Sequence, residues 1–101
     1  IGQTVVVKNR MPIAIEAIEG TDETIKRGGK LGGKGIVVAK AAATHHDFRV
    51  DVPTIGLQTL EVLHAVRGSV IAVEAERTFV MNQETLCEQA DRWQISIVAV
   101  A

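Results

Sequence analysis

The sequence predicts an α/β domain, with a mixed β-sheet and about three helices in a single unit. Three observations carry that expectation. Short runs rich in Val, Ile and Ala alternate with segments of helical periodicity. Gly and Pro fall between the runs, where they punctuate rather than interrupt. Finally, 47% hydrophobic content over 101 residues is enough for one core and argues against disorder.

In chain order, Ile1 to Lys8 is dense in β-branched residues and reads as a strand. Asn9-Arg10 is a turn, and Ile13 to Ile18 a second strand, so the two form a hairpin. Thr21 is expected to cap a short helix with Asp22 and Glu23 in its first turn and Gly28 at its end. Residues 28 to 35 then read as a glycine-rich loop. Gly35 to Ala39 is a buried strand closed by Lys40, and residues 41 to 46 are a linker. Asp47 to Val52 is the next strand, which Pro53 stops because it has no N–H to pair.

Thr54 is placed to cap a helix from Gly56 to Arg67, with Leu57, Leu60, Leu63 and Val66 on one face and Gly68 at its end. Strands follow at Ser69 to Glu74 and Arg77 to Met81. Asn82 is expected to cap a helix to about Trp93, and Ile95 to Val100 closes the chain as a strand.

Composition limits function. A net charge of −1 leaves no broad basic footprint, and only Phe48, Phe79 and Trp93 could stack on bases, so nucleic acid is not an expected partner. The single cysteine, Cys87, excludes an internal disulfide framework and is read as packing in a helix interior. The spacing Gly28-x-x-x-x-Gly33-Lys34 imitates a phosphate-binding P-loop. It is followed by Gly35 where a magnesium-holding Ser or Thr would stand, and it precedes a strand instead of following one. His45-His46-Asp47 could ligate a metal, but adjacent histidines on an extended segment point opposite ways, so a solvated linker is the plainer reading. His64 reads as an ordinary residue of an amphipathic helix.

The stretch Arg49-Val-Asp51-Val-Pro53-Thr54 is more telling. Val50 and Val52 share one face and Asp51 the other, at a strand end just before a helix start. Asp51 can hold a metal, orient water or form a plain salt bridge. Glu16, Glu19 and Asp22 fall around another strand-to-helix corner. Together the carboxylates suit magnesium, a cation of oxygen ligands that retains waters for a phosphate, or are simply solvated surface charges.

Four stretches carry a resemblance: Ile1-Gly-Gln3 with its strand; Glu16-Ala-Ile-Glu-Gly-Thr-Asp22; Arg27-Gly-Gly29 leading to Val38-Ala-Lys40; and Asp47-Phe-Arg-Val-Asp-Val-Pro-Thr-Ile-Gly56. The chain resembles the C-terminal domain of the LpxI-type UDP-2,3-diacylglucosamine pyrophosphatases of lipid A biosynthesis. The resemblance implies that residues 1–101 are the catalytic-type domain of a two-domain protein whose N-terminal domain lies outside this chain. It implies a magnesium-dependent, cytoplasmic enzyme, peripheral to the inner membrane, that splits UDP-2,3-diacylglucosamine into 2,3-diacylglucosamine 1-phosphate and UMP.

Asp51 matches the family's catalytic Asp. Our own inference adds Glu19 and Asp22 as metal helpers beside Asp51, and Lys40, Arg49 and Thr54 as substrate contacts. A homodimer is compatible with the abundant apolar strands. The alternative is a diverged, non-catalytic lipid-nucleotide-binding or dimerisation domain. Ala43, Thr44 and His46 stand where relatives usually carry a Lys-Pro pair and a Gln, and Glu76 stands where they usually carry Gly.

Overall fold

The structure is a computed structural model that describes residues 3–41 and 53–101. The expected strand from Asp47 to Val52, the His45-His46 pair, Arg49 and Asp51 lie outside the described residues.

Strands β1 (Thr4–Lys8) and β2 (Met11–Ile15) form the expected antiparallel hairpin, pairing Val6 with Ala14 and Lys8 with Met11. Asn9 and Arg10 both take positive φ, 51° and 67°, the mirror-image turn whose twist matches a two-residue hairpin. The register slips between Val6 and Val7, so Val7 meets Pro12 at an irregularity on the sheet edge, where a missing N–H is tolerated. Helix α1 (Thr21–Gly32) leads to β3 (Val37–Lys40). A two-residue strand β4 (Thr54–Ile55) precedes α2 (Leu57–Ala65) and β5 (Val70–Glu74). Strand β6 (Phe79–Val80), α3 (Gln83–Arg92) and β7 (Ser96–Val100) complete the described chain.

Five strands form one mixed sheet in the order β2-β1-β3-β5-β7, with β3, β5 and β7 parallel and β1 antiparallel to its neighbours. The cross-strand row Ala14, Val6, Val38, Ile71 is buried at each position. The helices close over this row: α1 packs on β1 and β2 and touches α2, α2 touches α3, and α3 lies against β7. They contribute Ile25, Leu60, Leu63 and Leu86 to one core, and full burial of each such side chain is worth about 1.5–3 kcal/mol. The alternate row, with Ile15 and Val98 about half exposed, is the less covered face.

Several boundaries differ from expectation, and the largest difference has a packing cause. The glycine-rich loop begins five residues later than read, at Gly33: α1 continues through Gly28 and Gly29 to Gly32. A Cβ on Gly28 would lie 2.5 Å from Val6 Cγ1, one on Gly29 2.6 Å from Val66 Cβ, and one on Gly32 2.5 Å from Ile13 Cδ1. These glycines let the helix backbone lie directly on β1, α2 and the hairpin, a tertiary gain that overrides their poor helix propensity. Gly33, at φ 71°, is where the helix ends.

The expected caps also change. Gly20, not Thr21, precedes α1, and Gly56, not Thr54, precedes α2. Asn82 does precede α3, in a left-handed conformation, but its side chain makes no cap hydrogen bond. Helix α2 stops at Ala65, and Arg67 rather than Gly68 takes the left-handed turn, at φ 61°. Gly68 is required for another reason, since a Cβ there would overlap Leu63. Strands β4 and β6 pair in parallel as a separate two-stranded ladder. Cys87 is exposed on α3, so the packing reading of that residue fails.

Candidate functional site at the carboxyl edge of the sheet

Where parallel strands end and their crossovers begin, an open sheet presents its ligand edge. Here that edge carries the ends of β3, β5 and β7 and, because β1 runs the other way, the start of β1. Thr4 pairs with Lys40 across it. Most of the polar chemistry of the described residues lies along this line.

Lys40 is the last residue of β3 and is only 9% exposed. Its ammonium donates to the backbone carbonyl of Thr54 at 2.8 Å. A buried cation without partners would be costly, and this bond ties the end of β3 to the start of β4. Pro53, one residue earlier, is buried, and its carbonyl accepts from the Phe79 N–H at 2.8 Å. Lys40 and Thr54, both expected substrate contacts, are thus joined directly.

The corner between β2 and α1 is held by its own network. Gly20, at φ 91°, makes a turn that other residues rarely adopt, and the Thr24 N–H and Oγ1 both donate to its carbonyl. Thr21 Oγ1 donates to Glu16 Oε1 at 3.2 Å and lies 3.1 Å from Thr4 Oγ1. Glu19 is clasped by the Arg27 guanidinium, Nη2 to Oε1 at 2.5 Å and Nε to Oε2 at 3.3 Å, and accepts from Thr24 Oγ1. Arg27 also donates to the Ile15 carbonyl, tying α1 back to β2. The Arg27 hydrogen bond holds the Glu19 carboxyl below its ordinary value, and Glu19 in turn raises the Arg27 guanidinium.

Asp22 behaves differently. Its Oδ2 accepts from Gln58 Nε2 at 2.9 Å, bridging the first turns of α1 and α2. The pair lines a cavity of about 430 Å³ together with Thr54, Leu57, Met81 and Asn82, a size in the range of small-molecule sites. Glu19 and Arg27 line a different hollow, with Lys30 and Val66. The structure therefore brings Asp22 to Thr54 but does not bring Glu19 to Asp22, and among the described residues no three His, Cys, Asp or Glu side chains group as a metal would require. Gln58 and Asn82 were not among the expected site residues. Their only local signal is position, each within the opening residues of a helix. His64 stacks on Trp93 with centroids 4.4 Å apart and takes no part in this edge.

The arrangement is that of an α/β domain whose polar groups and ligand-sized cavity share the edge of a mixed sheet where its parallel strands end. The family model described as the LpxI C-terminal domain matches residues 1–98, and the chain belongs to that family. It is similar to the UDP-2,3-diacylglucosamine pyrophosphatase LpxI of Caulobacter vibrioides, at 33% identity over 110 aligned positions covering 99% of the chain. The chain spans about two-fifths of that relative, 39% of its length.

Proposed function

We propose that the protein carrying this domain hydrolyses the pyrophosphate bond of UDP-2,3-diacylglucosamine, giving 2,3-diacylglucosamine 1-phosphate and UMP. The observation that supports this most is the likeness to the Caulobacter enzyme along nearly the whole chain, together with a cavity and a buried lysine at one sheet edge. In this reading Asp51 positions the attacking water and Arg49 contacts the phosphates. Lys40 ties the start of β4 to the end of β3 and lends positive potential to the edge. The substrate would lie between this domain and a further N-terminal one, at the cytoplasmic face of the inner membrane.

Magnesium fits the reading in part. Bound, it would neutralise charge on the pyrophosphate. Asp51 is the residue proposed to hold it. Of the two helpers, Asp22 retains one carboxylate oxygen without a hydrogen bond among the described residues, whereas both oxygens of Glu19 are taken by Arg27 and Thr24. Glu19 would have to leave Arg27 before it could ligate. The test is direct: the purified longer protein, given UDP-2,3-diacylglucosamine with magnesium or with chelator, should release UMP only in the first case. No release in either case would refute the activity, and equal release would refute the metal.

A further inference from the structure

We propose that the edge of the sheet opposite the candidate site is a docking surface for an anionic phospholipid bilayer, held by Lys8, Arg10, Lys30, Lys34 and Arg67 and seated by the aliphatic side chains of Met11 and Leu31. Its place in catalysis rests on the proposed function, whose substrate carries two acyl chains; the surface itself does not.

Charge is unevenly spread over the molecule. The whole chain carries −1, yet those five residues carry +5, which leaves −6 for the rest. Residues 8–11, 30–35 and 66–69 contain no Asp or Glu. Glu16, Glu19, Asp22, Glu74 and Glu76 lie at or beside the other edge. A near-neutral composition thus conceals a basic pole, and such a pole attracts an anionic surface over about a Debye length.

The fold brings three connections together at this pole. Lys8 ends β1, and its ammonium donates to the Lys34 carbonyl. The Gly35 N–H donates to the Arg67 carbonyl at 2.8 Å. A Cβ on Gly32 would lie 2.5 Å from Ile13 Cδ1 and 3.4 Å from Lys8 Cβ, so the end of α1, with Lys30 and Leu31, rests on the hairpin that carries Arg10 and Met11. Arg10, Lys30, Lys34 and Arg67 are exposed, and their side chains form no ion pair or hydrogen bond among the described residues. Lys30, in the last turn of α1, also meets the negative end of that helix. Lys8 and Arg10 stand on a hairpin, which has no such end to neutralise.

The apolar residues select the partner. Leu31 and Met11 are 65% and 64% exposed at this edge. Aliphatic side chains among free cations suit a bilayer interface, where the aliphatic groups and lysine stems bury and the charged heads meet phosphodiesters. Nucleic acid would call for aromatic platforms, and Trp93, at the end of α3, is already stacked on His64. Strands of five residues span about 17 Å. The carboxyl edge would therefore stand about that far from the headgroups, and a substrate would have to be drawn clear of the bilayer to reach it.

The experiment is flotation of this chain with vesicles, each variant being checked for folding by circular dichroism. The probes are phosphatidylcholine vesicles and vesicles of phosphatidylcholine with phosphatidylglycerol. Free glycerol 3-phosphate and a random double-stranded oligonucleotide serve as competitors. Only the anionic vesicles should carry the chain, and added salt should release it. One Lys or Arg at an anionic surface is worth about fivefold in affinity, so Arg10→Gln with Lys34→Gln should weaken binding roughly 25-fold with an unaltered dichroism spectrum. The loss from Leu31→Ser should be the same at low and high salt, as an apolar contact requires. The proposal is overturned if neutral vesicles carry the chain equally, if the double variant or Leu31→Ser floats as wild type does, if glycerol 3-phosphate releases the chain, or if the oligonucleotide binds more tightly than the vesicles. The longer protein separates this failure from that of the proposed function. In the double variant, hydrolysis of UDP-2,3-diacylglucosamine should hold in detergent micelles and fall on vesicles. Turnover by the longer protein without flotation of this chain removes the docking surface alone. Flotation without any turnover removes the activity alone.

Discussion

The two ends of the central sheet solve different problems with different residues. At the carboxyl edge, order comes from side chains: Lys40 on the Thr54 carbonyl, Arg27 on Glu19, Gln58 on Asp22. At the opposite edge much of it comes from backbone, with the Ser69 hydroxyl on the Gly35 carbonyl and the Lys8 ammonium on that of Lys34 beside it. Gly35 N–H donates to the Arg67 carbonyl at 2.8 Å, Ser69 N–H to Ile36, and Ser96 N–H to Ser69. Helix α1 runs between them and changes character on the way, from Thr21-Asp22-Glu23 to Gly28, Gly29 and Gly32. Side-chain order leaves donors and acceptors that a ligand can use, whereas backbone order closes on itself. The contrast puts paired polar side chains at one end and close helix packing at the other, and it can be broken at either.

The largest effect is expected from Asp51→Asn in the longer protein. The amide preserves shape and loses the charge. If Asp51 positions water or metal, turnover should fall roughly 10²–10⁴-fold while substrate affinity and melting temperature hold. A salt-bridge role would instead lower the melting temperature and leave turnover per folded molecule near normal. Measuring both on one preparation separates the two, and normal turnover would detach Asp51 from the chemistry of this edge.

Next comes the packing end. Gly28→Ala puts a Cβ within 2.5–2.8 Å of three Val6 side-chain atoms, and Val6 is fully buried. Chemical denaturation should show a loss of about 1–3 kcal/mol, typical of overpacking a tight core. The partner test is sharper. Val6→Ala removes the colliding methyls, so the double variant should be more stable than the sum of the two losses predicts. Strict additivity would mean that the close approach of α1 to β1 is not what requires glycine.

This glycine run also marks where the sequence was legible and where it was not. The hairpin, α2, β5 and β7 follow from period-2 and period-3.6 patterns that are local properties of the chain. Gly28 to Gly32 was read as loop because propensity counts glycine against a helix, and nothing local announces that Val6, Val66 and Ile13 lie across from it. Strands β4 and β6 have two residues each, too few to show a period. Asp22, Lys40 and Thr54 are singled out by residue type and position, and the structure joins Lys40 to Thr54. The separation of Glu19 from Asp22 was hidden, because it depends on Arg27 turning back from eight residues away. Gln58 is an unremarkable polar residue until the fold sets it against Asp22.

A smaller effect is expected at Glu76, between β5 and β6. Glu76 holds φ 64°, in the left-handed region that glycine adopts without strain. Glu76→Gly relieves that strain, partly offset by the added freedom of the unfolded chain, so a gain of about 0.5–1 kcal/mol is expected in thermal melts. No gain would show that the turn relaxes around Glu76 at little cost. Since Glu74 ends β5 at the carboxyl edge, any accompanying change in turnover would reveal that this turn also shapes the site.

The smallest effect concerns Glu19, and its sign follows from the ion pair. The hydrogen bond from Arg27 holds the folded carboxyl below the ordinary value of 4.5. A depressed carboxyl contributes stability that is present above its unfolded value and is lost as pH falls through its folded one. Glu19→Gln removes that contribution, so wild type should be the more stable at neutral pH, and the gap should close as pH drops below 4.5. Both partners are partly exposed, with side-chain exposures of 42% for Arg27 and 29% for Glu19, so added salt should narrow the gap as well. Melting curves from pH 7 to pH 3 at two salt concentrations measure it. A gap that persists unchanged at pH 3 would mean that shape, not charge, fixes this corner. In the longer protein the same variant addresses the metal question. Full magnesium-dependent turnover with lowered acid sensitivity would leave Glu19 a clasp on α1, whereas a raised magnesium requirement would show that it leaves Arg27 to take part in the site.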